Sequence, residues 1–180
     1  LVKSSKSKKY RLKAKKIDEM LGGLKKDVYF YRTKSIIQKI MKLNCVVVDD
    51  SSIQRMIIAK LVNNHPNLHL VGDFSNAIEA KNCMSVHTVD LIFLDIEMPV
   101  ISGFDFLDGL KVKPQIIFIT SKAEYAMKAF DYDATDYLQK PIALDRFNAS
   151  VRRAMDFHML KKENQEEEGE HIFIKSNLKK

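Results

Sequence analysis

Five positions in this 180-residue chain carry groups suited to phosphate and hard cations: the carboxylates of Asp49, Asp50 and Asp95, the hydroxyl of Thr120 and the ammonium of Lys140. Carboxylates crowded into one place repel one another. A hard divalent cation removes that cost, and Mg²⁺ is commonly held by one or two carboxylates together with phosphate and water. Mg²⁺ is therefore the expected ion. Asp50 and Asp95 are its expected direct ligands, Asp49 binds through water, and the Glu97 backbone carbonyl is a further ligand. A carboxylate in such a site is a nucleophile toward phosphorus and forms an aspartyl phosphate. Asp95 is the expected acceptor. Lys140 would neutralise phosphoryl oxygens and Thr120 would donate its hydroxyl to one of them.

Taken singly, each group has a plainer reading. An Asp after a strand is a turn former or a cap. Asp49 and Asp50 beside Ser51 suit a helix cap, and Lys140 alone suits the surface. The chemistry needs a fold that brings the groups together.

From Leu43 onward, apolar runs alternate with helical patterns. Cys45 to Val48 is apolar without alternation, as in a buried parallel strand. Ser51 or Ser52 caps a helix through Leu61, and residues 63–67 end it. Leu68 to Gly72 is a second strand, and Ser75 caps a helix from Asn76 to Val86. Val89 to Leu94 is a third strand and Gly103 to Leu110 a third helix. Pro114 introduces the strand Gln115 to Thr120, followed by a helix from Ala123 to Phe130. Asp136 to Leu138 is a fifth strand, and Leu144 to Leu160 is a long final helix. Five such units imply a doubly wound α/β fold, a parallel sheet covered on both faces by helices. Ligands of open α/β sheets bind outside the carboxyl ends of the strands. The first strand runs into Asp49-Asp50, the third into Asp95, the fourth into Thr120-Ser121, and the fifth is followed by Lys140-Pro141.

Charge separates the chain into parts. Residues 1–42 hold 14 Lys/Arg and 3 Asp/Glu, a balance of +11, and the remaining 138 residues hold 16 and 20, a balance of −4. Residues 1–16 have too few apolar groups to repay ordering and are expected to be disordered. Short helices are expected in 17–24 and 28–41. Leu1, not Met, opens the chain, and Met41 stands before the first strand as an alternative start. A nucleic-acid reader would carry its basic charge on the folded surface, whereas here it lies in the leader. Two cysteines, Cys45 and Cys83, are expected to be buried free thiols in a reducing cytoplasm. No apolar run is long enough for a bilayer span, so no membrane partner is expected.

At these residues the sequence resembles the response regulator receiver family of two-component signalling. Val-Val-Val-Asp49-Asp50 is similar to its acidic pair. Leu-Ile-Phe-Leu-Asp95-Ile-Glu-Met-Pro99 is similar to its phosphorylation site, with Gly103 at the following glycine. Phe-Ile-Thr120-Ser121 resembles its hydroxyl position, and Tyr-Leu-Gln-Lys140-Pro141 resembles its lysine and cis proline. The resemblance covers about residues 43–160. It implies the flavodoxin-like strand order 2-1-3-4-5 and phosphorylation of Asp95 by a sensor histidine kinase. It also implies a bacterial phosphoprotein without enzymatic turnover beyond its own phosphorylation and slow dephosphorylation. By the same resemblance, phosphorylation draws Thr120 inward and lets Tyr137 follow. That would repack the face of helix 4, strand 5 and helix 5 and promote a homodimer there.

The runs around Tyr125 and Tyr137 further resemble regulators whose output is a LytTR DNA-binding domain. The expected organisation is a basic extension at 1–42, a receiver at 43–160 and an acidic linker within 161–180. His171 to Ile174 would open a LytTR-like strand, so that DNA binding and transcription regulation belong to an effector largely outside this chain. A stand-alone adaptor that binds proteins on phosphorylation is the alternative. A haloacid-dehalogenase-like phosphatase fits poorly, because Asp49-Asp50-Ser51 supplies no DxD after the first strand. No GxGxxG follows that strand either, which argues against a dinucleotide site.

Overall fold

The structure is a computed structural model and describes residues 41–177. The disorder expected for 1–16 and the helix expected in 17–24 lie outside the described residues, as does all but Met41 of the helix expected in 28–41. Residues 42–180 group apart from 1–41.

Five strands form one parallel sheet in the order β2-β1-β3-β4-β5. They are β1 (Leu43–Val48), β2 (Leu68–Phe74), β3 (Leu91–Leu94), β4 (Gln115–Thr120) and β5 (Asp136–Gln139). The intervening helices are α1 (Ser52–Asn64), α2 (Ala77–Val86), α3 (Gly103–Asp108), α4 (Tyr125–Phe130) and α5 (Leu144–Asn177). The expected fold class and strand order are therefore observed.

Alternation along each strand divides the core between two faces. Val46, Val48, Ile92, Leu94, Ile116 and Phe118 pack with Ala77 and Ala80 of α2, Phe104 and Leu107 of α3, and Ala129 of α4. On the other face Phe93 stacks on Phe147 of α5 with ring centroids 5.4 Å apart. Ile58 and Val62 of α1 and Val151 and Ala154 of α5 are buried as well. Because the central strands are buried on both sides, their apolar runs show no alternation in sequence.

Several boundaries differ from the sequence reading. Ser51 caps α1, accepting from the Gln54 N–H. The cap of α2 is Asn76, not Ser75: its Oδ1 accepts from the Glu79 N–H at 2.9 Å, while Ser75 Oγ accepts from the Asn76 side-chain amide. Helix α3 stops at Asp108 with Gly109 as its C-cap, and α4 begins at Tyr125. The largest difference is α5, which runs 34 residues to Asn177. The run His171 to Ile174, expected as a strand, is helical. Its apolar groups suit a strand, but a strand needs a neighbour to satisfy its backbone, whereas a helix closes its own hydrogen bonds. The Glu- and Lys-rich stretch before it favours helix, and the single Gly169 does not stop it. Cys45 is buried, as expected, but Cys83 is only half-buried. Burial pushes the Cys45 thiol up to about 12, despite its hydrogen bond to the His69 carbonyl.

Candidate metal and phosphoacceptor site

The parallel register brings the carboxyl ends of four strands to one edge. Val48 pairs with Leu94, and Leu94 with Phe118. The next residues, Asp49 and Asp95, therefore emerge side by side. The Asp95 N–H donates to the Val48 carbonyl at 2.8 Å, and the Asp49 N–H to the Phe74 carbonyl at 3.1 Å. Thr120 pairs with Gln139, and the Lys140 N–H donates to the Thr120 carbonyl at 2.9 Å. Lys140 thus stands one residue past the edge, followed by a cis bond to Pro141.

Their side chains converge. Lys140 Nζ donates to Asp49 Oδ2 and to Asp95 Oδ2, each at 2.7 Å. Asp49 is fully buried, and Asp95 retains 5% of its exposure. The second oxygen of each carboxylate takes a backbone donor: Asp49 Oδ1 from Ser51 N–H at 2.9 Å and Asp95 Oδ1 from Glu97 N–H at 3.3 Å. Asp50 is exposed, and no hydrogen bond or ion pair to its carboxylate appears among the described residues. One oxygen from each of Asp49, Asp50 and Asp95 lies within 4.8 Å of the others.

Three carboxylates and one ammonium leave two negative charges in a largely buried site. A divalent hard cation offsets that excess, and the donor set is all oxygen, as Mg²⁺ prefers. The residues therefore fit such an ion. Burial raises the Asp95 carboxyl above its ordinary value; the Lys140 hydrogen bond and charge oppose this, and the Asp49 charge adds to it. Burial alone would lower the Lys140 ammonium, but its bonds to Asp49 and Asp95 outweigh that and hold it above its usual range.

The loop after Asp95 is tightly built. A Cβ on Gly103 would collide with the Asp95 carbonyl oxygen and come within 3.0 Å of Ile96 Cα. The Gly103 N–H donates to the Ile96 carbonyl at 2.9 Å. Val100 is fully exposed in the left-handed region, with φ 71°, a strained conformation for a β-branched residue.

Thr120 is already fully buried, and its Oγ1 accepts from the Lys122 N–H at 3.4 Å. The Tyr137 hydroxyl donates to the Lys122 carbonyl. Lys122 Nζ pairs with a Glu97 carboxylate oxygen at 2.7 Å. One residue thus touches the Thr120 hydroxyl, the Tyr137 hydroxyl and the loop after Asp95. Residue type and local pattern do not single out Lys122. It lies two residues after Thr120, as Glu97 does after Asp95, but that the two side chains meet across the ends of β3 and β4 is shown only by their geometry.

The sequence pattern of the response regulator receiver domain matches residues 45–152. The chain belongs to the response regulator receiver domain family. An uncharacterized response regulatory protein of Shewanella oneidensis is 39% identical over 113 residues, covering 62% of this chain and 48% of that relative. The transcriptional regulatory protein BtsR of Escherichia coli K12 is 35% identical over 113 residues, covering 62% and 47%. The chain spans about half the length of the curated relatives it matches. Among solved structures, the response regulatory domain of mrkE from Klebsiella pneumoniae has a TM-score of 0.58 at 28% identity, covering 63% of this chain and 96% of that one. The REC domain of AraT, a response regulator from Geobacillus stearothermophilus, has a TM-score of 0.61 at 25% identity, covering 68% and 99%. No helix of this receiver, among the described residues, is long and apolar enough to cross a membrane.

Proposed function

We propose that this receiver is the phosphorylation-controlled input of a cytoplasmic two-component response regulator, with Asp95 as its phosphoacceptor. The observation that carries the reading is Lys140, whose single ammonium bridges Asp49 and Asp95 beside the exposed Asp50. An Asp95 oxygen attacks the phosphorus of a phosphohistidine on a sensor histidine kinase. The new P–O bond replaces the P–N bond, and the imidazole leaves. Asp50 and Asp95 would hold Mg²⁺ directly, Asp49 through water, and the Glu97 carbonyl would be a further ligand. Bound there, Mg²⁺ supplies a positive charge against the phosphoryl oxygens. Lys140 neutralises a second side of the same group. Thr120 turns its hydroxyl from accepting the Lys122 N–H to donating to a phosphoryl oxygen.

That change loosens Lys122, whose carbonyl anchors Tyr137. The face of α4, β5 and α5 repacks in response, a local charge event biasing a two-state element. Homodimerisation through this face follows. The output is DNA binding and transcription regulation by a LytTR-type domain of the whole protein, in keeping with relatives titled transcriptional regulatory proteins.

Incubation with acetyl phosphate and Mg²⁺, read by intact mass, tests the acceptor. Wild type should gain one phosphoryl group and Asp95→Asn none. Equal labelling of Asp95→Asn would overturn the assignment. Sedimentation with and without beryllofluoride tests the dimer, and an unchanged monomer would remove it.

A further inference from the structure

The phosphoacceptor reading leaves Arg55, on the second turn of α1, without a role. Its Nη1 donates to the Asp49 backbone carbonyl at 2.7 Å. Its Nε donates to Asp73 Oδ1, at the end of β2, at 3.2 Å. The side chain is only 19% exposed. A guanidinium presents several donors in a rigid plane, so one side chain can hold two acceptors at a set angle.

The carbonyl it holds belongs to the peptide joining Asp49 to Asp50. Asp49 is otherwise well restrained, by its N–H on Phe74 and its Oδ1 on the Ser51 N–H. Asp50 has no comparable tie. Its carboxylate is exposed and takes no hydrogen bond or ion pair among the described residues. The orientation of the 49–50 peptide sets the direction in which the Asp50 side chain leaves the backbone.

We infer that Arg55 is a positioning residue for the cation site, holding the 49–50 peptide so that the Asp50 carboxylate stays within reach of Asp95. This rests on the cation-dependent reading above. Two other roles make different demands. A purely structural tie between α1 and β2 would act on folding alone. A purely electrostatic role has the opposite sign, because removing a positive charge near three carboxylates strengthens cation binding. Asp73 already offsets that charge.

Calorimetric titration of Mg²⁺ into the full chain, below its unfolding temperature, separates these roles. Arg55→Gln should weaken Mg²⁺ binding about tenfold, as loss of a group that orients a ligand does. Arg55→Lys should recover part of the loss through a single donor. Asp73→Asn should cause a smaller shift, because the carbonyl contact remains. At saturating Mg²⁺, labelling of Arg55→Gln by acetyl phosphate should return to the wild-type rate. A lower melting temperature for Arg55→Gln with an unchanged Mg²⁺ dissociation constant would overturn the inference, as would tighter binding. Wild type that takes up no Mg²⁺ would remove the cation reading itself, and this inference with it. Wild-type binding that Asp50→Asn abolishes and Arg55→Gln leaves intact would remove this inference alone.

Discussion

Two charge clusters stand at opposite ends of β5, and their balance differs. At its start, Asp136 is a single carboxylate with a surplus of donors. Arg146 and Arg153 of α5 reach it at 3.3 and 2.8 Å, the Tyr137 N–H at 2.9 Å, and Ser150 Oγ also donates to it. Just past its end, Lys140 is a single ammonium with a surplus of carboxylates. The first cluster is complete and ties β5 to α5. The second lacks positive charge, an excess of carboxylate that a divalent cation would offset. Both clusters are charged and largely buried; what differs between them is the sign of the imbalance.

Lys140→Met should break the contrast most strongly. It leaves two buried carboxylates facing each other, and losing one partner of a buried pair costs about 3–5 kcal/mol. Urea unfolding in metal-free buffer checks this, and added Mg²⁺ should recover part of the loss. Gly103→Ala comes next. Its methyl group meets backbone with no flexible side chain to yield, an overpacking cost of about 2–3 kcal/mol, and displacement of the Asp95 loop should slow labelling by acetyl phosphate. Asp136→Asn removes the negative charge that two half-exposed arginines pair with, and one of its two acceptor oxygens. It should cost about 2 kcal/mol and leave labelling unchanged. A folded Asp136→Asn that no longer accepts phosphate would erase the distinction between the clusters.

The smallest effect is on pH dependence. Asp95 has a folded value raised above its ordinary 3.8 by burial, so the folded protein holds that proton more tightly than the unfolded chain. The stability it contributes is complete below 3.8 and is lost as pH rises through the folded value. In metal-free buffer the unfolding free energy should fall across that window in wild type but not in Asp95→Asn. Mg²⁺ should flatten the fall, because it compensates the ionised carboxylate. Lys140, also raised, contributes stability that is complete below 10.5 and is lost as pH rises through its folded value.

The strands and the acidic edge were legible because buried parallel strands carry uninterrupted apolar runs and because their ends carry the polar groups. The cap of α2 was misplaced by one residue, since Ser75 and Asn76 are both good caps and only backbone geometry chooses between them. The run at His171 to Ile174 suits a strand by residue type, but a strand also needs a neighbour, and none pairs with it among the described residues. Lys122 and Arg55 were invisible for a related reason. Their partners, Glu97 and Asp73, lie 25 and 18 residues away along the chain.

By itself, then, the sequence determined which groups could act and which strand ends would carry them, because residue type and local pattern need no partner. Only the tertiary structure decided that Lys140 bonds Asp49 and Asp95 while Asp50, close beside them, takes no bond from it. It likewise decided that Lys122 links Thr120 to Tyr137 and that Arg55 holds the 49–50 peptide. Those are contacts between strands and helices distant in sequence, set by the register of a parallel sheet whose neighbours are joined through crossovers.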